Sequence, residues 1–322
     1  MGISEVLAKL SSVWRALSAL RHAAAQRKPE AAVLIDFPDF HAVLARTLRR
    51  QAVPLIYYVS PQVWAWRPGR ARVIARRARR ILTLFSFETE IYRRLGADVV
   101  WTGHPIVDDV AEGLAGAPAA AGPRPRLALL PGSRPAEVRR LWPLMRDAAA
   151  HLAARRPLDV FAVQAPGFSD ASYPGARDAG IALVASGAHP LLASAELAWV
   201  ASGTATLETA LCRTPMVVVY RASRMSFAVG RRLVKVPWIS LVNIVAGETV
   251  VPELLQEELT PERLLEESQA LLDSPERRTR MRADLERVAR ELGPPGASRR
   301  AAEAVAAALD ANRTRPARTA AQ

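Results

Sequence analysis

Residues 126–142 read RLALLPGSRPAEVRRLW. A short apolar run enters Pro131-Gly132, a pair that makes a tight turn, and the chain continues as a helix with Glu137 in its first turns. An apolar run of this kind is the mark of a parallel strand buried on both faces.

The same order of strand, turn and helix recurs along the chain. Apolar runs stand at AAVLIDF (31–37), PLIYYVS (54–60), ILTLF (81–85), DVVWTGH (98–104), LDVFAVQA (158–165), IALVAS (181–186), ELAWVAS (196–202) and PMVVVYR (215–221), with helical spacing between most of them. This predicts a doubly wound α/β fold. AEGLAGAPAAAGPRPR (111–126) has little periodicity and separates four runs from five, so it is read as a linker between domains 1–118 and 119–322. After the last run, PELLQEEL, PERLLEESQALL, PERRTRMRADLERVARELG and ASRRAAEAVAAALDAN all read as helices of the second domain.

Composition narrows the function classes. The 322 residues, half of them apolar, can fill two cores. Net charge is +13, yet only Lys9, Lys28 and Lys235 among the 44 basic residues are lysine. Such Arg and Ala bias fits a GC-rich coding sequence, so local clusters at Arg67–Arg80 and Arg221–Lys235 count for more than the total. The single Cys212 forms no intrachain disulfide and fits a reducing cytoplasm or simple indifference to redox. No apolar run is long enough to span a bilayer, and Glu5, Lys9 and Arg15 interrupt any signal-peptide core. A soluble or peripheral protein is expected. The five His are scattered, and neither a Cys pair nor Asp-x-Asp occurs, so no metal is expected.

In a doubly wound fold the ligand lies outside the carboxyl ends of the strands. At LPGSRPAEV, Ser133 is read as the N-cap, and Arg134 beside a helix N-terminus suits phosphate. ASGTATLETALC offers Ser202, Gly203 and Thr204 before a helix, with Glu208 four residues on. Glu208 either accepts from a sugar diol or is a solvated helix residue. IDFPDF carries Asp36 and Asp39: Asp36, read as partly buried at the mouth of the sheet, is the first choice of general base, while Asp39 can be a mere N-cap. His104, in TGHP, is a secondary candidate for base or phosphate donor. Tyr57, Tyr58, Trp64 and Trp66 beside Arg67 and Arg70 suit a loop closing on an amphiphilic substrate, a lipid interface or, least of these, nucleic acid, with core packing of a Trp as the plain reading.

Taken in order, SPQVWAWR, TGHP, LPGSRPAEV, ASGTATLETALCRTPMVVVYR, RRLVKVPWISLVNIVAG and VPELLQ resemble the lipid-A-disaccharide synthase family, from residue 1 to about residue 275 and most weakly across 165–190. The resemblance implies a metal-independent, inverting glycosyltransferase of two Rossmann-like domains (the GT-B type). Its expected reaction moves diacylglucosamine from a UDP-linked donor to the 6-hydroxyl of lipid X, diacylglucosamine 1-phosphate, with release of UDP. Arg134 and the Ser202–Gly203–Thr204 helix start would then hold the diphosphate, with Ser133 and Thr206 in the nucleotide-binding set. Glu208 would hold the ribose, Asn243, Glu253 and Gln256 would line the nucleotide pocket, and Asp36 would take the acceptor proton with Asp39 in reserve. Expected surroundings are the cytoplasmic face of the inner membrane, with a homodimer as a candidate assembly and no nucleic acid.

Family members open on a strand and a Gly-Glu-x-Ser-Gly-Asp turn that has no counterpart here, and MGISEVL resembles an internal family segment. Roughly sixty residues, the span of two βα units, are therefore expected to be missing. The first domain would be incomplete, with an unpaired sheet edge, poor stability and no turnover. The opening stripe Ile3, Val6, Leu7, Leu10, Val13 and Trp14 is either core packing or a membrane or acyl-chain contact. Acyl-bearing substrates favour the second. Other readings are a different UDP-sugar enzyme of this fold, such as an epimerase, a nucleic-acid binder using Arg67–Arg80, and a peripheral membrane protein without catalysis.

Overall fold

The four apolar runs ahead of the linker become β1 (Ala32–Ile35), β2 (Leu55–Tyr58), β3 (Arg80–Thr83) and β4 (Val99–Trp101), parallel and in that order. They alternate with α1 (Ile3–Arg27), α2 (Pro38–Arg50), α3 (Gly69–Arg77) and α4 (Ser86–Arg93). This computed structural model describes residues 3–64, 69–115, 124–223, 227 and 236–313, with 3–10 and 311–313 as backbone alone.

Right-handed crossovers between neighbouring parallel strands put the connecting helices on one face. The core follows: Leu44 and Leu48 of α2, Ile74 of α3, Tyr92 of α4 and Leu17 and Ala24 of α1 cluster with Leu34, Leu55 and Ile81. The opposite face is covered by the last described helix, α12 (Ala297–Arg313), whose Ala301, Ala304 and Ala308 pack with Ile56 and Leu82. Small side chains let a helix lie close to a sheet. Two long-range bonds hold it there, Arg80 Nη1 to the Ala304 carbonyl (3.1 Å) and Arg300 Nε to the Thr102 carbonyl (2.8 Å).

The second sheet has order β10-β9-β8-β5-β6-β7, all parallel. Its strands are β5 (Arg126–Leu130), β6 (Asp159–Val163), β7 (Ile181–Val184), β8 (Leu197–Ala201), β9 (Met216–Tyr220) and β10 (Glu253–Leu255). With it go α5 (Ile106–Leu114), α6 (Pro135–Arg155), α7 (Ala188–Ala193), α8 (Thr204–Leu211), α9 (Leu241–Ala246), α10 (Pro261–Leu272) and α11 (Pro275–Glu291). The chain builds outward from β5 to β7, then returns to β8 on the other side, so the direction of winding reverses between β5 and β8.

The structure differs from the sequence reading in three places. The two compact units are Met1–His104 with Gly296–Gln322, and Pro105–Pro295, whereas sequence placed the division after residue 118 and gave every terminal helix to the second domain. The helix α5, at the linker's start, packs with α7 and α8, and residues 116–123 lie outside the described set. Within PELLQEEL, read as helical, Glu253–Leu255 is a strand paired with β9. Three residues are too few for periodicity to decide, and an open sheet edge overrides local preference.

Along α1, Leu17 and Ala24 are buried, while Val13, Trp14 and Leu20 are exposed, Trp14 at 61%. The side chains of Ile3, Val6, Leu7 and Leu10 lie outside the described residues. No described helix is long and apolar enough to cross a membrane.

Candidate active site

In the second unit, Leu130 is in register with Val200, so the turns that leave β5 and β8 emerge side by side at the winding reversal. This is where an open parallel sheet forms its ligand crevice. The sequence-predicted residues Ser133, Arg134, Ser202, Gly203 and Thr204 occupy these two turns.

Glu137 closes the first turn. Gly132 sits at φ 113°, and a Cβ there would lie 2.7 Å from Glu137 Oε2. The glycine thus permits Glu137 to fold back, where Oε2 accepts the Ser133 N–H (3.3 Å) and Oε1 accepts Arg134 Nη1 (2.6 Å). The expected cap is displaced by one residue: α6 starts at Pro135, its N-cap is Arg134, and Ser133 precedes it. Pro at N1 fixes the start there, because its missing N–H costs nothing in the first turn. Arg134 is 76% exposed, so its pair with Glu137 is weak and can yield to a stronger anion.

At the second turn Gly203 is the N-cap of α8 and offers no side-chain cap. First-turn N–H groups of such a helix remain donors for an anion. Thr204 is exposed there, whereas Thr206 is fully buried and donates to the Gly203 carbonyl (2.8 Å). The hydroxyl of Thr206, expected at the nucleotide, is thus engaged inside the turn. Ser202 Oγ donates to the Ile239 carbonyl (2.9 Å), which ties this turn to the start of α9.

Asn243 and Glu253 meet in the same corner but not as free pocket groups. Asn243 Oδ1 accepts the N–H groups of Val250 (2.9 Å) and Val251 (3.0 Å), and Nδ2 donates to the Val251 carbonyl (3.0 Å) and Glu253 Oε1 (2.8 Å). All four hydrogen-bonding positions of its amide are filled. Glu253 also accepts from the backbone of Ile239 (2.9 Å) and Ser240 (3.0 Å) and from Ser240 Oγ (2.6 Å). The expected lining pair is therefore a clamp on residues 239–251. Gln256 is buried at φ 54°, its N–H on the Tyr220 carbonyl (2.9 Å).

Glu208 is neither of the simple alternatives. It is partly buried in unit two, burial raises its pKa, and His189 and Asp109 act on it with opposite signs, His189 lowering and Asp109 raising. Cys212, one turn on, is buried and its thiol is pushed up to about 12 by desolvation.

In the first unit, Asp36 is exposed rather than partly buried. It follows β1, an edge strand among the described residues whose Val33 and Ile35 are 41% and 55% exposed. Asp36 and Phe37 stand at φ 49° and 43°, and the Asp36 carbonyl accepts His41 Nδ1 (2.6 Å). Two successive left-handed residues carry the chain straight from strand to helix and leave Asp36 exposed at the strand end. Asp39 is not the N-cap, which is Phe37; it lies in the first turn of α2 and pairs with Arg70. His104 is partly buried with its ring 5.6 Å from Phe85. Tyr57 is buried, Trp64 partly so, and Trp66 and Arg67 lie outside the described residues.

Sequence reasoning missed Glu88. It is 2% exposed at the third position of α4, where Oε1 accepts the Trp64 indole N–H (3.0 Å) and Oε2 the Phe85 N–H (3.4 Å). Burial pushes its carboxyl up to about 7, against the smaller lowering by the Trp64 bond. The available signal was spacing: an acid three residues past the end of the apolar run 81–85 is half of a capping box.

The lipid-A-disaccharide synthetase family model matches residues 1–308. The lipid-A-disaccharide synthase of Myxococcus xanthus is 42% identical over 315 residues, which cover 95% of this chain and 82% of that one. Among solved structures, UDP-GlcNAc 2-epimerase from Neisseria meningitidis aligns with TM-score 0.58 at 12% identity, over 95% of this chain and 83% of the other. The calicheamicin glycosyltransferase aligns with TM-score 0.58 at 16% identity, over 93% and 80%. At such identities the solved structures bear on the fold alone, and both sheets here agree with it.

Proposed function

The chain belongs to the lipid-A-disaccharide synthetase family, and from that premise we propose that it transfers diacylglucosamine from a UDP-linked donor to the 6-hydroxyl of lipid X. It is a glycosyltransferase of lipid A biosynthesis. The observation that carries the donor side is the pairing of the PGSR and SGT turns at the winding reversal between β5 and β8.

The donor's diphosphate leaves as the acceptor oxygen forms its bond to the sugar C1, and the negative charge that grows on the leaving oxygens needs donors already in position. Arg134 and the start of α8 supply them in our reading, with no metal required. Ser133 contributes its place in the turn, and Glu208, partly desolvated, receives the ribose hydroxyls. Asn243, Glu253 and Gln256 shape the nucleotide's surroundings through the backbone they hold. On the acceptor side, Asp36 takes the 6-hydroxyl proton, with Asp39 or His104 as the alternative base. Exposed Val13 and Trp14 beside Arg15 support attachment to the cytoplasmic face of the inner membrane, and a homodimer is kept as the candidate assembly.

The test is UDP release by the purified protein supplied with the diacyl donor, with and without lipid X. We expect release only when both are present, which would also refute the sequence expectation of a chain without turnover; release indifferent to lipid X overturns the proposed acceptor.

A further inference from the structure

Four aromatic rings run across the carboxyl ends of three adjacent strands in the first unit. Trp64, after β2, meets Phe87 edge-on at 5.6 Å; Phe87 stacks on Phe85 at 5.5 Å and 9°, both after β3; Phe85 meets His104, after β4, at 5.6 Å. Trp64, Phe87 and His104 are all partly exposed, so the run has an accessible side. Apart from Trp64, each of these residues sits on or beside a regular element. Trp64 belongs to an irregular stretch, and among the described residues its hydrogen bond to α4 is the indole donating to Glu88.

Glu88 has two structural explanations to satisfy. As a cap, it needs only to reach the Phe85 N–H, which an exposed side chain does equally well. The burial is what a cap does not require: among the described residues no cation pairs with Glu88, and its carboxyl is desolvated to take the indole of another loop. Leaving a carboxyl buried without a counter-charge is costly. Its neighbours are otherwise held without it, since Ser60 Oγ and Tyr92 OH share a hydrogen bond (2.5 Å), as do Thr83 and Thr89 (2.7 Å).

We propose that Glu88 is a positioning residue: it fixes the Trp64 indole so that Trp64, Phe87, Phe85 and His104 form one continuous wall against which the acylated sugar acceptor packs. This rests on the acceptor assignment above and adds to it the residue that holds the wall together. Aromatic faces suit the apolar side of a hexosamine ring and the first carbons of an acyl chain, and a ring displaced from the row loses that contact. Gln in place of Glu88 keeps an oxygen for the indole; Ala does not.

The experiment compares Glu88→Ala, Glu88→Gln, Trp64→Phe and the Glu88→Ala/Trp64→Phe pair in the full chain. Glu88→Ala is expected to raise the KM for lipid X about tenfold with the donor KM unchanged, Glu88→Gln to restore it, and the double variant to be no worse than the worse single one. Additive losses, equal changes in both KM values, or a lower active fraction with both KM values unchanged overturn the proposal. Tryptophan emission separates it from the acceptor assignment: a red shift in Glu88→Ala, absent in Glu88→Gln and abolished by Trp64→Phe, is expected whatever the acceptor proves to be. No such shift refutes the positioning role, whereas UDP release indifferent to lipid X in the unaltered protein refutes the acceptor.

Discussion

Arg134 and Glu88 show what a residue's neighbours add to its identity. PGSR already implied an anion site, but the neighbour that shapes it is Glu137, which binds Ser133 N–H and Arg134 together. Because the Arg134 pair is exposed, Arg134→Ala should change stability by under about 1 kcal/mol. The same change should cut kcat by about 10²–10³, the usual cost of one charge-stabilising donor; urea midpoints and steady-state rates measure the two. Glu88 behaves oppositely, being buried and close to neutral pH. Its folded pKa of about 7 exceeds the ordinary 4.5, so the folded state holds the proton more tightly and stability falls as pH rises from 4.5 through 7. Glu88→Gln cannot titrate there. Its stability relative to the unaltered protein should therefore improve between pH 5 and pH 8, by up to about 3 kcal/mol; an identical difference at both pH values contradicts the assignment. Sequence could list candidate acids and bases, yet it could not tell exposed Asp36 from buried Glu88, because burial is decided by which loops fold over a side chain.

At the scale of elements, the apolar runs were legible because a strand buried on both faces must be apolar at every position. All nine became strands. The short β10 escaped detection because its three residues follow the edge of β9 rather than any pattern of their own. The helix α1 was legible as amphipathic, but a stripe does not say what it faces: Leu17 and Ala24 enter the core while Val13 and Trp14 do not. The strand β1 is similar, with Leu34 buried and Val33 and Ile35 open to solvent. Among the described residues β1 is an edge strand, and exposed apolar side chains on an edge invite pairing with another chain. Ile35→Lys should consequently reduce concentration-dependent self-association in sedimentation or light scattering and leave the far-UV spectrum unchanged. Unaltered association would mean that the β1 edge is not the contact.

Across the whole molecule, chain order and spatial order part company at the end. Sequence reasoning assigned helices by proximity along the chain, and α12 follows α11 closely enough that only packing could reveal its place. That helix covers the face of the first sheet at Ile56 and Leu82 and is bonded to Arg80 and Thr102, although the 191 residues of the second unit intervene between His104 and Gly296. Removing everything after Pro295 should therefore weaken the unit that holds the start of the chain, not the one to which α11 belongs. Calorimetry with and without UDP can tell them apart. A ligand at 100 times its Kd stabilises the unit that binds it by about 2.7 kcal/mol, so UDP should raise the transition of Pro105–Pro295 in both the full and the shortened chain. The transition of Met1–His104 should fall on truncation and ignore UDP. If truncation instead lowers the UDP-responsive transition, α12 stabilises the nucleotide-binding unit, and the assignment of the helix to the first sheet is wrong.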